Sequence, residues 1–156
     1  MLLSHFVITA IIIIVISNFE FTQIGYWIIY FLSLGLYVIS GFVYTNRKSN
    51  LYNYFVVAII GISIWTICFI ISPNDLNYKS GNGGCWFFYQ LYIMVSSPLN
   101  FIESIQNILT GNFKLQLYSE ALIPIIISIF QYIGGLLKIN ILNKNNNRYK
   151  KWRETW

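Results

Sequence analysis

The 156-residue chain is too poor in charge for a water-soluble domain, since 56% of its residues are hydrophobic and only 10% are charged. Soluble domains carry about 25% charged residues, so this chain could not cover a soluble surface without large apolar patches. The net charge of +5 would suit nucleic acid on a soluble protein, but here the basic residues stand beside apolar runs, where they determine topology. Composition therefore predicts an all-α integral membrane protein that binds no nucleic acid.

Four apolar stretches are long enough, or nearly so, to cross about 30 Å of hydrocarbon. They cover residues 2–17, 24–45, 54–72 and 121–142. In lipid every backbone N–H and C=O needs a partner within the chain, so each stretch is expected to be a helix. The first has no preceding basic residue and no small-residue cleavage site, which favours a retained span over a signal peptide. Residues 1–142 are thus predicted to form a single polytopic domain.

The segment between the third and the last span is interrupted. Its apolar run, Trp86 to Val95, would be only about 15 Å long as a helix. Ser97 followed by Pro98 is typical of a helix N-cap and first helical position. We therefore expect residues 86–97 to be interfacial or partly inserted, and 98–110 to form a helix on the exoplasmic membrane surface.

The predicted helix over 98–110 is amphipathic. Phe101, Ile105 and Ile108 fall on its apolar face, whereas Glu103 and Gln106 fall on the other face. The apolar face is the candidate interaction surface of the protein.

The distribution of charge favours four spans with both termini in the cytoplasm. Eight of the ten basic residues are then cytoplasmic, and four of the five acidic residues are exoplasmic. In the alternative, residues 86–102 are a fifth span, the N-terminus is outside and seven basic residues are inside. The topology determinants are Arg47, Lys48, Lys144, Arg148, Lys150, Lys151 and Arg153.

Residues 143–156 are predicted to be a basic cytoplasmic tail that combines cations with aromatic rings. Each basic residue beside a span contributes about 1 kcal/mol of attraction to anionic headgroups. The expected partners are therefore a bilayer with anionic lipids and a membrane protein or a second copy of the chain. Abundant Asn, Ile, Tyr and Lys are typical of an AT-rich genome, so we expect a bacterial cell membrane.

The sequence contains no recognisable catalytic or metal-binding motif. His5 is the only histidine and is expected to make a local hydrogen bond. Cys68 and Cys85 form no CxxC and lie near no histidine, so no metal site or cofactor is predicted. The two cysteines are expected to be free thiols. Gln131, the most polar side chain near the middle of a span, is expected to bond to a neighbouring helix.

These patterns predict a non-catalytic protein and not an enzyme. We expect an accessory, immunity-type or regulatory protein that acts through helix packing or through its exoplasmic segment. The alternative is a subunit of an oligomeric channel or small transporter, which would need a polar stripe along the spans. The residues available for such a stripe are Ser33, Ser40, Ser63, Thr66, Ser128 and Gln131.

Overall fold

The computed structural model describes residues 1–46, 50–71, 84–110 and 113–154, except the side chains of 109–110, 113–114 and 145–154. Helices account for nearly all of these residues, and none of them lies in a strand. In chain order the elements are α1 (Leu2–Asn18), α2 (Gln23–Tyr44), α3 (Leu51–Ile71), α4 (Gly84–Tyr92), a 3₁₀ helix (Met94–Phe101), α5 (Glu103–Thr110) and α6 (Phe113–Glu154).

Within the described part of the chain, three helices are long and apolar enough to cross a membrane. They are α2, α3 and the Leu115–Lys144 part of α6. The helix α1 is also apolar but has only 17 residues. The prediction of an all-helical protein is confirmed, and the three long helices indicate a membrane location.

Local sequence explains the bounds of α2. The Thr22 hydroxyl caps its start by accepting from the Gly25 N–H at 3.3 Å. The helix ends where Thr45 adopts an extended conformation, with its N–H still bonded to the Gly41 carbonyl. The observed helix agrees with the predicted stretch 24–45 to within one residue at each end.

The helix α6 extends beyond the predicted span 121–142 at both ends. The predicted tail 143–156 does not begin as a separate segment, because the helix continues as far as Glu154. Lengthening an existing helix costs much less than starting a new one, so polar residues can continue it. Pro124 consequently lies inside α6, where its ring packs against the backbone of Gly61 on α3.

The helices α1, α2, α3 and α6 alternate in direction. Gln131 of α6 donates to the carbonyl of Met1 at 3.4 Å, and α3 begins at the same end because only residues 45–50 connect it to α2. At the opposite end, the Glu103 N–H donates to Gln23 Oε1 at 3.1 Å. We call these the Met1 end and the Gln23 end of the bundle.

The helix α4 and the 3₁₀ helix form a hairpin, residues 84–101, that enters the bundle and returns. Trp86 meets Trp65 of α3 edge to face, with ring centroids 6.5 Å apart. Farther along, the Tyr92 hydroxyl donates to the Val57 carbonyl at 2.7 Å. Val57 lies about 21 Å along α3 from its last residue. The 3₁₀ helix then returns to the Gln23 end.

The hairpin corrects the prediction of one helix over 98–110. Pro98 lies inside the 3₁₀ helix, and α5 begins only at Glu103. Between them, Ile102 is extended and only 2% exposed. Its buried side chain anchors the break, and its carbonyl accepts from the Ile105 and Gln106 N–H groups at the start of α5.

Candidate functional site

Three groups of polar side chains join different elements of the bundle. The His5 cluster contains His5, Thr9, Tyr37 and Tyr92, and the Gln131 cluster contains Gln131, Ser4, Ser40 and the Met1 carbonyl. The Glu120 cluster contains Glu120, Gln90, Gln116 and Tyr89. They are the candidate site, because buried polar groups in a membrane bundle have either a structural or a functional role.

His5 is fully buried at the tip of the hairpin. Its Nδ1 lies 2.8 Å from the Tyr37 hydroxyl, and its Nε2 lies 3.0 Å from the Tyr92 carbonyl. A carbonyl only accepts, so Nε2 carries the hydrogen, and the Tyr37 hydroxyl donates to Nδ1 of the neutral ring. His5 therefore joins α1, α2 and the hairpin, whereas the sequence indicated only a local hydrogen bond.

Tyr92 is held at both its backbone and its hydroxyl. Its carbonyl accepts from His5, its hydroxyl donates to the Val57 carbonyl, and its ring lies 4.6 Å from the imidazole. The turn of the hairpin is thereby tied to both α1 and α3. Irregular backbone is tolerated at membrane depth only where protein or water satisfies it, and here protein does so.

Gln131 bonds across helices, as the sequence predicted. Its Nε2 lies 3.4 Å from the Ser4 hydroxyl and 3.5 Å from the Ser40 hydroxyl. These bonds are long, and Oε1 of the fully buried amide has no partner among the described residues. The hydrogen bonds of the Gln131 amide are thus longer and weaker than those of the His5 and Glu120 clusters.

Glu120 lies within α6, although the predicted last span begins only at residue 121. Its two carboxylate oxygens accept from Gln90 at 2.8 Å and from Gln116 at 3.2 Å. The Tyr89 hydroxyl donates to the Glu120 carbonyl at 2.8 Å. Gln116 and Glu120 are one helical turn apart, and this spacing could have indicated the pair once the true start of α6 was known.

The candidate interaction surface is only partly exposed. Phe101 is 47% exposed and stacks on Tyr26 of α2 with centroids 4.9 Å apart. Ile108 is 62% exposed, and Ile105 is half-buried. In the described part of this segment, Pro98 and Ile102 are the fully buried apolar side chains. Of the three residues of the predicted surface, Phe101 and Ile108 are therefore exposed enough to contact a partner, and both lie at the Gln23 end.

The structure places some topology determinants but not all of them. Lys144 is exposed on α6. Arg47 and Lys48 lie outside the described residues. The backbone of α6 includes four further determinants whose side chains are not among those described: Arg148, Lys150, Lys151 and Arg153.

Lys138 lies near the Met1 end of α6. Its ammonium group donates to the Val43 carbonyl at 2.9 Å and lies 5.9 Å from the centroid of the Phe42 ring. It thus caps a carbonyl near the C-terminal end of α2, where a cation is favourable, while its aliphatic stem follows the apolar surface.

The three polar clusters hold helices together. His5 uses both ring nitrogens on structural partners, and the Glu120 carboxylate accepts from two amides. Among the described residues no group of three or more His, Cys, Asp or Glu could hold a metal ion. The chain matches no protein-family model, no curated protein and no solved structure.

Proposed function

We propose that the chain is a non-catalytic membrane protein that regulates or protects a partner protein in the same membrane. The observation that carries this proposal is the hairpin, which fills the bundle and is tied to α1, α3 and α6 by hydrogen bonds. The hairpin occupies space between the helices, which favours an activity that depends on the outer surface of the bundle. Accessory, immunity-type and regulatory proteins share this mode of action.

The proposed topology has four spans, with both termini in the cytoplasm. The helix α1 is about 26 Å long, close to the thickness of the hydrocarbon core. Its direction alternates with that of α2, α3 and α6, so four crossings bring residue 1 and the end of α6 to the same side. The basic residues then place the Met1 end in the cytoplasm. The membrane would be the bacterial cell membrane.

The hairpin favours four spans over five. A fifth span would have to leave the bundle at the end opposite to its entry. Trp86 lies beside Trp65 near the Gln23 end, and Phe101 stacks on Tyr26 near the same end. We therefore propose that residues 84–101 are re-entrant, and that α5 lies at the exoplasmic interface.

The exoplasmic surface around α5 is the proposed site of partner binding. Phe101 and Ile108 expose apolar surface beside the polar Glu103 and Asn107. An apolar centre with a polar rim is the usual composition of a protein interface. At the Met1 end, the basic tail would attract anionic headgroups and set the orientation.

The alternative is a subunit of an oligomeric channel. The polar residues that it needs lie on different sides of the helices: Ser40, Ser128 and Gln131 are buried inside the bundle. Ser63 and Thr66 are exposed on α3, where each donates to the carbonyl four residues earlier. Polar groups divided in this way form no single stripe, so the accessory role is preferred.

Photo-crosslinking in living cells tests the proposal. A photoreactive amino acid in place of Ile108 is expected to give one discrete protein adduct. The same amino acid at Asn107, on the polar side of α5, serves as the matched control and is expected to give much less of it. Adducts with lipid alone, or equal adducts at both positions, would contradict the proposed surface.

Flux through vesicles separates the two functions. Vesicles that contain the purified protein are expected to release K⁺ and Na⁺ no faster than empty vesicles. A saturable or selective flux that is lost in Gln131→Leu would instead favour the channel.

A further inference from the structure

Two cysteines lie where the hairpin enters the bundle. Cys68 lies on α3 and is 1% exposed, and Cys85 is the second residue of α4 and is half-buried. The two cysteines therefore lie where α3 and the start of α4 pack against the same apolar core. Both thiols are free in the structure, as the sequence predicted, although nothing in the sequence indicates that the two residues lie near each other.

Aromatic packing fixes the contact between α3 and α4 independently of the sulfur atoms. Trp65 lies one helical turn before Cys68, and Trp86 directly follows Cys85. The two indole rings meet edge to face with centroids 6.5 Å apart. Cys68 and Trp86 belong to the same apolar core, and Cys85 packs against it. The neighbouring rings thus hold α3 and the first turn of α4 against each other.

A disulfide requires the two sulfur atoms to approach to about 2.0 Å, with the Cβ atoms about 3.8 Å apart. A side chain added at Gly84 would meet no atom within 4 Å, so the start of α4 is open on the side of Gly84.

We propose that Cys68 and Cys85 form a disulfide that fixes the hairpin to α3. Each thiol loses a proton, one S–S bond forms, and two electrons reduce a disulfide oxidant, such as oxidised glutathione or a thiol-oxidising protein, to two thiols. The pair lies near the Gln23 end, which the proposed topology places on the oxidising side of the membrane. In this respect the inference rests on the proposed function.

The disulfide makes the depth of the hairpin sensitive to redox conditions. In the reduced protein the hairpin is held by hydrogen bonds such as those of Tyr89 and Tyr92, which can open and reclose. In the oxidised protein its entrance is covalently attached to α3. Phe101, at the other end of the hairpin, belongs to the proposed partner surface, so oxidation also restrains that surface.

Counting the thiols of the full-length protein in detergent tests the pairing. The protein is incubated with oxidised glutathione, denatured in SDS and treated with a maleimide coupled to polyethylene glycol, which adds mass for each free thiol. Wild type is expected to carry two adducts before oxidation and none afterwards, and to regain two on reduction. Two adducts after oxidation would overturn the proposal.

Single substitutions exclude pairing between chains. Cys68→Ser and Cys85→Ala are each expected to keep one adduct after oxidation and to remain monomeric in non-reducing gels. Wild type is expected to unfold at a higher temperature when it is oxidised, and Cys85→Ala is expected to show no such shift. A dimer in the oxidised wild type that accounts for the lost thiols would overturn the intramolecular bond.

Trapping the thiols in intact cells distinguishes a failure of the pairing from a failure of the topology. Acid quenching followed by alkylation is expected to recover the disulfide from the membrane. A purified protein that oxidises readily, but whose thiols are both free in cells, would support the pairing and contradict the exoplasmic placement of the Gln23 end. A purified protein that does not oxidise would contradict the pairing whatever the topology.

Discussion

The bundle is held together differently along two of its contacts. In the glycine seam between α2 and α6, the backbones touch: an added Cβ at Gly41 would overlap the Gln131 carbonyl, and one at Gly134 would overlap the Val38 carbonyl. Around the hairpin, by contrast, His5, Tyr89 and Tyr92 carry the contact through hydrogen bonds. The seam depends on shape, and the hairpin depends on polar partners.

This difference follows from the solvent. Lipid chains are as apolar as leucine, so burial of apolar surface does little to drive helices together within a bilayer. Close backbone contact between small residues is one solution, and hydrogen bonds between helices are the other. Because the hairpin includes irregular backbone, it needs the second solution.

The largest effect is expected at the glycine seam. Gly134→Leu would force α2 and α6 apart along their length, because the clash is with backbone and not with a flexible side chain. We expect a loss of more than about 3 kcal/mol in the free energy of unfolding, at the upper limit for an overpacked contact. Thermal unfolding in detergent and accumulation in the membrane measure it.

Gly35→Leu is the matched control for this substitution. Gly35 is exposed on α2, and an added Cβ there meets no atom within 4 Å. Leucine is a better helix former than glycine, so this variant should be at least as stable as wild type. Equal losses in both variants would show that the seam does not depend on close contact.

A smaller effect is expected at the hairpin. His5→Leu removes the partner of the Tyr92 carbonyl and the acceptor of the Tyr37 hydroxyl, both inside the bundle. An orphaned buried polar group costs about 1–3 kcal/mol, so we expect a loss of roughly 2 kcal/mol in stability. A cysteine probe at Met94, in the turn of the hairpin, should also become more accessible to a water-soluble maleimide.

Val7→Leu is the control for His5→Leu, since Val7 lies on the same helix and is 51% exposed. It should change neither stability nor probe access appreciably. A His5→Leu protein as stable as wild type, with an unchanged hairpin, would mean that the His5 bonds are not what holds the turn.

The smallest effect is expected at Gln131. Its amide makes three bonds of 3.4–3.5 Å, and its Oε1 has no partner among the described residues. Ser4 and Ser40 donate to the carbonyls of Met1 and Tyr37 whether or not Gln131 is present. Gln131→Met should therefore change the free energy of unfolding by less than about 1 kcal/mol. A loss near that of His5→Leu would reveal a further partner for Oε1.

The sequence predicted some residues of the candidate site better than others. Gln131 was predicted to bond to another helix, because an amide in an apolar helix has few alternatives. His5 was predicted to have only a local bond, but its partners lie 32 and 87 residues away. Glu120 was placed outside the spans because the first turns of α6 contain several polar residues, so the apolar pattern begins only after the helix has started. Distant partners leave no periodic signal in the sequence.

The apolar runs were enough to predict that the protein is helical and has long apolar helices, because runs that can cross a bilayer must satisfy their backbone groups internally. The fold of residues 84–101 depends instead on contacts with the other helices. The composition of these residues suits an interfacial helix, an inserted segment or a span, and each would bury similar apolar surface. Contacts with Trp65, Val57 and His5 select the hairpin, because only there do its irregular carbonyl and its aromatic rings all find partners.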